Sequence, residues 1–186
     1  MRIIGGTLKG REINFLRNSN TRPLKDNVKE SIFNILKHSN IIETKIENSN
    51  ILDLYSGIGS FGIECLSRGA KKVTFIDQND KAVNILKNNL IKLLMINKTE
   101  VWNKKIENFL QKKIKKKFDI FFIDPPFKDL TFYHNLESIK RKKIYQKKHI
   151  VIIHREKKTR DKFEDYINIV LTKTYGRSKI IFGLFS

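Results

Sequence analysis

The stretch Ile51-Leu52-Asp53-Leu54-Tyr55-Ser56-Gly57-Ile58-Gly59-Ser60-Phe61-Gly62 decides the fold. Its apolar start reads as a buried strand, and residues 61–67 read as a helix that stops near Gly69. Between them, Gly57, Gly59 and Gly62 complete the pattern G-x-G-x-x-G. On its own that spacing is weak. Between a strand and a helix, it is the loop that turns tightly and lets backbone approach a nucleotide. The next strand runs into Asp77, about 20 residues beyond Gly57, where a carboxylate can accept both hydroxyls of a ribose. The plainer alternative for Asp77 is a helix cap.

Outward from this unit, strands and helices alternate. Strands are expected over 51–55, 72–76, 100–103, 118–123 and 150–154. Helices are expected over 61–67, 80–96, 106–114 and 130–141. Alternation of this kind builds a parallel sheet. The end of the chain differs. After a short charged helix come apolar runs over 167–174 and 179–185, joined only by Tyr175-Gly176-Arg177-Ser178. Four residues cannot make a parallel crossover, so this pair is antiparallel. The start differs too. Ile3-Ile4, Gly5-Gly6 and Arg11-Glu12-Ile13 read as a short hairpin, Thr21-Arg22-Pro23 as a turn, and 26–37 as a helix with Asp26 as its N-cap. The fold class expected is α/β, as a single domain over 1–186. Residues 1–48 form a small extension and 49–186 a nucleotide-binding core.

The strand over 118–123 ends in Asp124-Pro125-Pro126-Phe127. Neither proline has an N–H for a ladder, so the strand must stop there. A carboxylate, two rigid carbonyl-bearing residues and an aromatic ring then sit at a strand's C-terminal tip, where open α/β sheets bind ligands. Acceptors beside a ring suit a flat, amine-bearing base. A Pro-Pro turn with Asp124 as a cap is the bland alternative. The glycine loop fits a dinucleotide or S-adenosylmethionine. The closing antiparallel pair, and a tip on the fourth strand beside the first, favour the latter.

The chain's 186 residues, 40% hydrophobic with 13 Phe, suffice for one domain with a full core. Cys65, the one cysteine, falls on an apolar helix face and reads as a buried thiol in a reducing compartment. No apolar run approaches the roughly 20 residues of a membrane span. The start Met1-Arg2-Ile3-Ile4-Gly5-Gly6 does not resemble a signal peptide, so a soluble cytoplasmic protein is expected, as a monomer. His38, His134, His149 and His154 have no ligand spacing, and no metal is expected. The net charge of +19, from 38 Lys+Arg against 19 Asp+Glu, points to a polyanion such as nucleic acid. A chain this dense in Lys, Ile and Asn owes part of that charge to compositional bias.

These residues resemble the class I methyltransferases, and more narrowly the RsmD family of 16S ribosomal RNA guanine-N2 methyltransferases. The resemblance spans nearly the whole chain. Arg2-Ile3-Ile4-Gly5-Gly6 with Lys9-Gly10-Arg11 is similar to the family's opening. Arg22-Pro23 followed by Val28-Lys29-Glu30-Ser31-Ile32-Phe33-Asn34 resembles its N-terminal signature, with Lys29 where Arg is usual. Leu52 to Gly59, Gly62-Ile63-Glu64 and Ser67-Arg68-Gly69-Ala70 match its cofactor loop, Asp124 to Phe127 its catalytic tetrapeptide, and Tyr175-Gly176 its closing hairpin.

The resemblance implies a seven-stranded sheet whose last strand is antiparallel. It also implies methyl transfer from S-adenosylmethionine to a guanine in a hairpin loop of small-subunit RNA, guanine 966, within the assembled subunit. Asp124, Pro125, Pro126 and Phe127 would be catalytic. Asp53, Tyr55, Gly57, Gly59, Gly62, Asp77, Gln78 and Ile106 would hold the cofactor. One departure is Lys105, where the family often places Asp or Asn near the adenine amine. Lysine cannot accept from an amine, so adenine recognition would rest on backbone near Ile106 and on apolar contact. Trp102 could flank the adenine, although a half-buried strand aromatic is the simpler reading, and Glu64 reads as a helix residue with a local partner. Other amino-methyltransferases acting on DNA or RNA, and a non-catalytic RNA-binding protein of the same fold, are the competing readings.

Two lysine runs, 112–117 and 140–148, fall where helices return to the start of a strand, on the edge opposite the tips, and read as solvated faces. The N-terminal zone is arginine-enriched, and arginine suits bidentate phosphate contact. Arg2, Lys9, Arg11, Arg22, Lys25 and Lys29 are therefore the expected RNA contacts.

Overall fold

The structure, a computed structural model, describes residues 1–15 and 24–186. The expected turn at Thr21-Arg22-Pro23, and with it the expected RNA contact Arg22, lies outside the described residues. Seven strands form one sheet: β1 Asn50–Leu54, β2 Lys72–Asp77, β3 Thr99–Asn103, β4 Phe118–Ile123, β5 Tyr145–Glu156, β6 Asn168–Tyr175 and β7 Ser178–Leu184. Their order is β3-β2-β1-β4-β5-β7-β6. Strands β1 to β5 pair in parallel, and β7 runs antiparallel to both β5 and β6. The α/β class, the seven strands and the antiparallel last strand are as the sequence predicts.

The central strands β1 and β4 are buried along nearly their whole length. That burial is why they read as continuous apolar runs rather than alternating ones. Helices cover both faces: α1 Asp26–His38, α2 Ser60–Ser67 and α3 Asp80–Lys92 on one, α4 Ile106–Leu110 and α5 Phe132–Lys142 on the other. Phe33, Phe61 and Phe122 stack in series under the first face. Phe118, Phe121 and Phe185 meet edge to face under the second. Cys65 is buried, as expected.

Several boundaries differ from the sequence reading. Asp26 is the first helical residue of α1 and Lys25 is the N-cap, so Asp26 favours the helix by charge near its positive end rather than by capping. The helix expected over 80–96 ends at Lys92. The Met95 N–H closes back on the Leu90 carbonyl, and Leu94 takes a left-handed φ of 57°. Apolar residues continue past that point because Leu93 and Met95 are buried by the turn itself. The helix expected over 106–114 stops at Leu110, before a lysine run that would repel itself at helical spacing. No helix follows β5. Thr159 bonds the Glu156 carbonyl and the Asp161 carboxylate, folding that segment into turns. β5 itself runs to Glu156, longer than the expected 150–154.

The N-terminal hairpin is reduced to one antiparallel bridge, Arg2 with Glu12, flanked by Ile3 N–H to the Arg11 carbonyl at 2.9 Å. It docks on the end of α2. The Ser67 hydroxyl donates to the Gly5 carbonyl at 2.6 Å, and the Ile4 N–H donates to Glu64 at 2.9 Å. Glu64 is a buried helix residue with Arg68 as its local partner at 3.0 Å, as predicted, and it also holds the distant N-terminal segment. Among the described residues no helix is long and apolar enough to cross a membrane.

Candidate active site

The sheet reverses direction of growth between β1 and β4, and the crevice at such a point is where this architecture binds ligands. Leu54 pairs with Ile123, so Tyr55 and Asp124 leave the sheet side by side. A cavity of about 990 Å³ opens there. Its wall includes Asp53, Tyr55, Gly57, Asp77, Gln78 and Ile106 from the expected cofactor set. The whole of Asp124-Pro125-Pro126-Phe127 lines it as well.

The cofactor side is held by backbone. The Gly57 N–H donates to Asp77 at 2.7 Å and the Asn79 N–H donates to the other Asp77 oxygen at 2.8 Å. Asp77 therefore fixes the loop while lining the cavity. Gly57 has φ 54° and open space where a side chain would be. Gly59 and Gly62 of the expected cofactor set do not line this cavity. A Cβ at Gly59 would collide with Leu86, and one at Gly62 with the Phe75 ring. Gly59 leaves room for Leu86 of α3, Gly62 lets α2 pack on Phe75 and Val73 of β2, and Gly62 also gives its N–H to Asp53 at 3.0 Å.

The tip side is held by side chains from far along the chain. His154 Nδ1 lies 2.9 Å from Asp124 Oδ1, and His154 Nε2 lies 3.0 Å from the Ser178 hydroxyl. Arg155, fully buried, donates to the carbonyls of Pro126 at 3.2 Å and Phe127 at 2.9 Å. Its Nε donates to Asp161 at 3.0 Å, and its guanidinium lies over the Phe132 ring. Sequence reasoning set His154 aside as a scattered histidine and did not consider Arg155. The available signal was position, since both stand at the C-terminal end of the strand beside β4.

A third group closes the far end of the wall. Asn135 of α5 donates to the Tyr55 hydroxyl and to Glu107 Oε1, each at 3.1 Å. Glu107, two residues after Lys105, brings to the wall a carboxylate that the sequence reading overlooked. Trp102 is not on the wall. It meets Phe109 edge-on beneath Lys112, as a half-buried strand aromatic.

The expected RNA contacts divide. Arg2, Lys9, Arg11 and Lys25 are exposed, whereas Lys29 is buried. Lys29 Nζ donates to the Arg2 carbonyl at 3.1 Å and pairs with Asp26 at 3.4 Å and Glu64 at 3.9 Å. A lysine so enclosed cannot reach a phosphate, so its assignment is corrected to anchoring the N-terminal segment. The 112–117 run is partly tied to the sheet. Lys116 pairs with Glu100 and Thr74, and burial of Glu100 is outweighed by Lys116 and Lys72, holding its carboxyl down at about 2. Among the described residues no cluster could hold a metal ion.

Residues 1–183 match the family described as conserved hypothetical protein 95. The chain belongs to the RsmD family of methyltransferases. "Ribosomal RNA small subunit methyltransferase D" of Buchnera aphidicola subsp. Acyrthosiphon pisum is 35% identical over 84% of this chain and 78% of its own. A solved Escherichia coli protein superposes with a TM-score of 0.84 over 100% of this chain and 98% of that one, at 24% identity. A SAM-dependent methyltransferase from Aquifex aeolicus superposes with a TM-score of 0.62 over 88% and 91%, at 18% identity. The RsmD-family chain has the class I methyltransferase fold.

The cofactor of that fold, S-adenosylmethionine, is a nucleoside carrying a sulfonium and an ammonium group. The cavity suits it. Asp53 Oδ1, Ser56 Oγ and Ser60 Oγ are buried on the wall without a hydrogen-bond partner among the described residues. Such atoms are unused capacity that a ligand can satisfy. Burial pushes the Asp53 carboxyl well up, against the pull of the Gly62 N–H, and the nearby charges of Asp124 and Asp77 push it further. Asp53, Asp77, Glu107, Asp124 and Asp129 around one cavity favour a cationic guest.

Proposed function

We propose that this chain transfers a methyl group from S-adenosylmethionine to ribosomal RNA, at the exocyclic N2 amine of guanine 966 in a hairpin loop of the small-subunit RNA. The observation that carries the reading is one cavity bounded by the Gly57–Asp77 contact at one end and the Asp124 tip at the other. Ribosomal RNA is supported by the name of the relatives, and guanine N2 by the family resemblance. Adenine N6 and cytosine N4 offer a similar amine, and nothing in the tip itself selects among them.

S-adenosylmethionine supplies a methyl group on a sulfonium, whose C–S bond breaks with its electron pair left on sulfur. The remaining lone pairs of Asp77 would accept from the ribose hydroxyls, and Gly57 would let backbone come close. Glu107, held through one oxygen by Asn135, would offer the other to the adenine amine that Lys105 cannot accept from. The carbonyls of Pro126 and Phe127 are taken by Arg155. That leaves Asp124 and the Pro125 carbonyl to accept the two N–H bonds of the target amine. Held so, the amine nitrogen turns its lone pair toward the methyl and forms the N–C bond. It then loses one proton, to Asp124 or directly to water. Acceleration comes from orientation and from fixed acceptors facing developing positive charge. Phe127 stacks on the base, which must leave its own stack to enter, at least cost from a loop. Residues 1–48 are the RNA-facing extension, with Arg2, Lys9, Arg11 and Lys25 on its surface.

The test incubates the protein with labelled cofactor and unmethylated small subunits, or free RNA, and maps the modified base. Label at guanine N2 on assembled subunits is expected. Label on adenine or cytosine overturns the choice of base, and no transfer to RNA overturns the activity.

A further inference from the structure

We infer that His154 is the positioning residue for Asp124, and that Ser178 sets the tautomer in which it does so. This rests on the reading of Asp124 as the acceptor for the substrate amine. The three side chains form an unbroken array, Asp124 Oδ1 to His154 Nδ1 at 2.9 Å and His154 Nε2 to Ser178 Oγ at 3.0 Å. The His154 side chain is 9% exposed, so neither contact is shared freely with solvent.

An ionised carboxylate only accepts, so Nδ1 must carry the proton that faces Asp124. In a neutral ring Nε2 then accepts, and the Ser178 hydroxyl is the donor that favours this tautomer. With Oδ1 engaged, the carboxylate cannot spin about its terminal bond, and Oδ2 is the oxygen left for the cavity. No other described residue donates to Asp124 from a side chain. The Phe127 ring meets the imidazole edge-on at 5.9 Å, so the same histidine fixes both the acceptor and the base-stacking ring.

The sheet topology supplies the parts. Along β5 successive side chains point to opposite faces. His154 turns to Asp124, and Arg155 turns to Asp161 and the carbonyls of Pro126 and Phe127. Two neighbouring residues thereby grip the tip at different points. Antiparallel β7 begins at Ser178, opposite Glu156, which brings its hydroxyl to the C-terminal end of β5. The other charges nearby are paired elsewhere, Lys179 with Asp161 and Arg177 with Glu156. Although the array has the order of a hydrolytic Ser-His-Asp set, Ser178 is not on the cavity wall, so it supports the ring rather than attacking a substrate.

The experiment measures turnover on unmethylated small subunits and cofactor affinity by calorimetry for His154→Ala, His154→Asn and Ser178→Ala, alone and with Asp124→Ala. His154→Ala should lower kcat by about 10- to 100-fold, the scale of a misplaced catalytic group, with KM and cofactor affinity little changed. His154→Asn puts an amide N–H near the place of Nδ1 and should recover most of that loss. It carries the test should the Ala variant lose its fold, which melting reports. Ser178→Ala should cost less than His154→Ala. In the Asp124→Ala background, His154→Ala should cost nothing further. Wild-type turnover in His154→Ala, equal loss in the Ala and Asn variants, or undiminished loss in the Asp124→Ala background each overturns the role of His154. If Asp124→Ala itself turns over normally, the reading of Asp124 falls, and this inference with it.

Discussion

The two ends of the cavity are built by different means. At the cofactor end, Asp77 takes the N–H groups of Gly57 and Asn79, and Asp53 takes that of Gly62. These partners lie between Asp53 of β1 and Asn79 at the start of α3, whereas Glu107, held by Asn135 of α5, comes from further along the chain. At the tip, Asp124 is aimed by His154, 30 residues on, and the carbonyls of Pro126 and Phe127 are clamped by Arg155. The first end is nearly local and backbone-made, and the second is assembled from side chains that only the finished sheet brings together. Damage should differ accordingly. Lesions at the first end should cost affinity, and lesions at the second should cost fold or rate.

The largest effect expected is at the clamp. Arg155→Met leaves the buried Asp161 carboxylate short of its main partner, a loss on the scale of about 3–5 kcal/mol. Denaturant unfolding should show it, and a loss under about 1 kcal/mol would mean the tip is held some other way. At the other end, Asp77→Ala removes a charged acceptor of about 1.5–3 kcal/mol per bond. Calorimetry should show roughly a 10- to 100-fold weaker cofactor, and the loss of the bonds to the Gly57 and Asn79 N–H groups should lower stability by less than Arg155→Met does. The reverse pattern would break the contrast between the ends.

A smaller effect concerns pH. Because the Asp53 carboxyl is raised in the free protein, a cationic cofactor should lower it and release a proton. Affinity should then fall as pH falls through the free protein's Asp53 pKa, and calorimetric heats should depend on the buffer's ionisation enthalpy. Affinity and heats that stay independent of pH and buffer across the whole range in which the protein is folded would remove Asp53 from the site. The smallest effect belongs to the surface. Arg11→Ala should weaken RNA binding a few-fold and flatten its salt dependence, while Lys113→Ala should leave both unchanged. If Lys113→Ala acts instead, the RNA lies on the other edge.

The same contrast explains what could be read from the chain. The loop and Asp77 were legible because Gly57, Gly59, Gly62 and the acid fall in one short pattern with one mechanical purpose. That pattern did not separate Gly57, which faces the cavity, from Gly59 and Gly62, which face Leu86 and Phe75. The Asp124 tip was legible because two prolines must end a strand. Its supports were not. Nothing near residue 154 or 155 in sequence says that β7 will insert beside β5 and deliver Ser178, or that the turns to Asp161 will replace a helix. Lys29 misled for a related reason. A lysine on a helix reads as exposed, and only the docking of the N-terminal segment onto Glu64 encloses it. Glu107 became visible only once α5 placed Asn135 against it.

The central claim is that cofactor binding and amine orientation reside at separate ends of one cavity. Single-turnover methyl transfer by Asp124→Ala, saturated with S-adenosylmethionine and mixed with unmethylated small subunits, tests it directly. The account predicts cofactor affinity lower by at most a few-fold, since one cavity carboxylate is lost, and a transfer rate lower by about 100-fold or more, the scale of removing a fixed electrostatic contact. Transfer at the wild-type rate, or a loss that lies entirely in cofactor affinity, would contradict it.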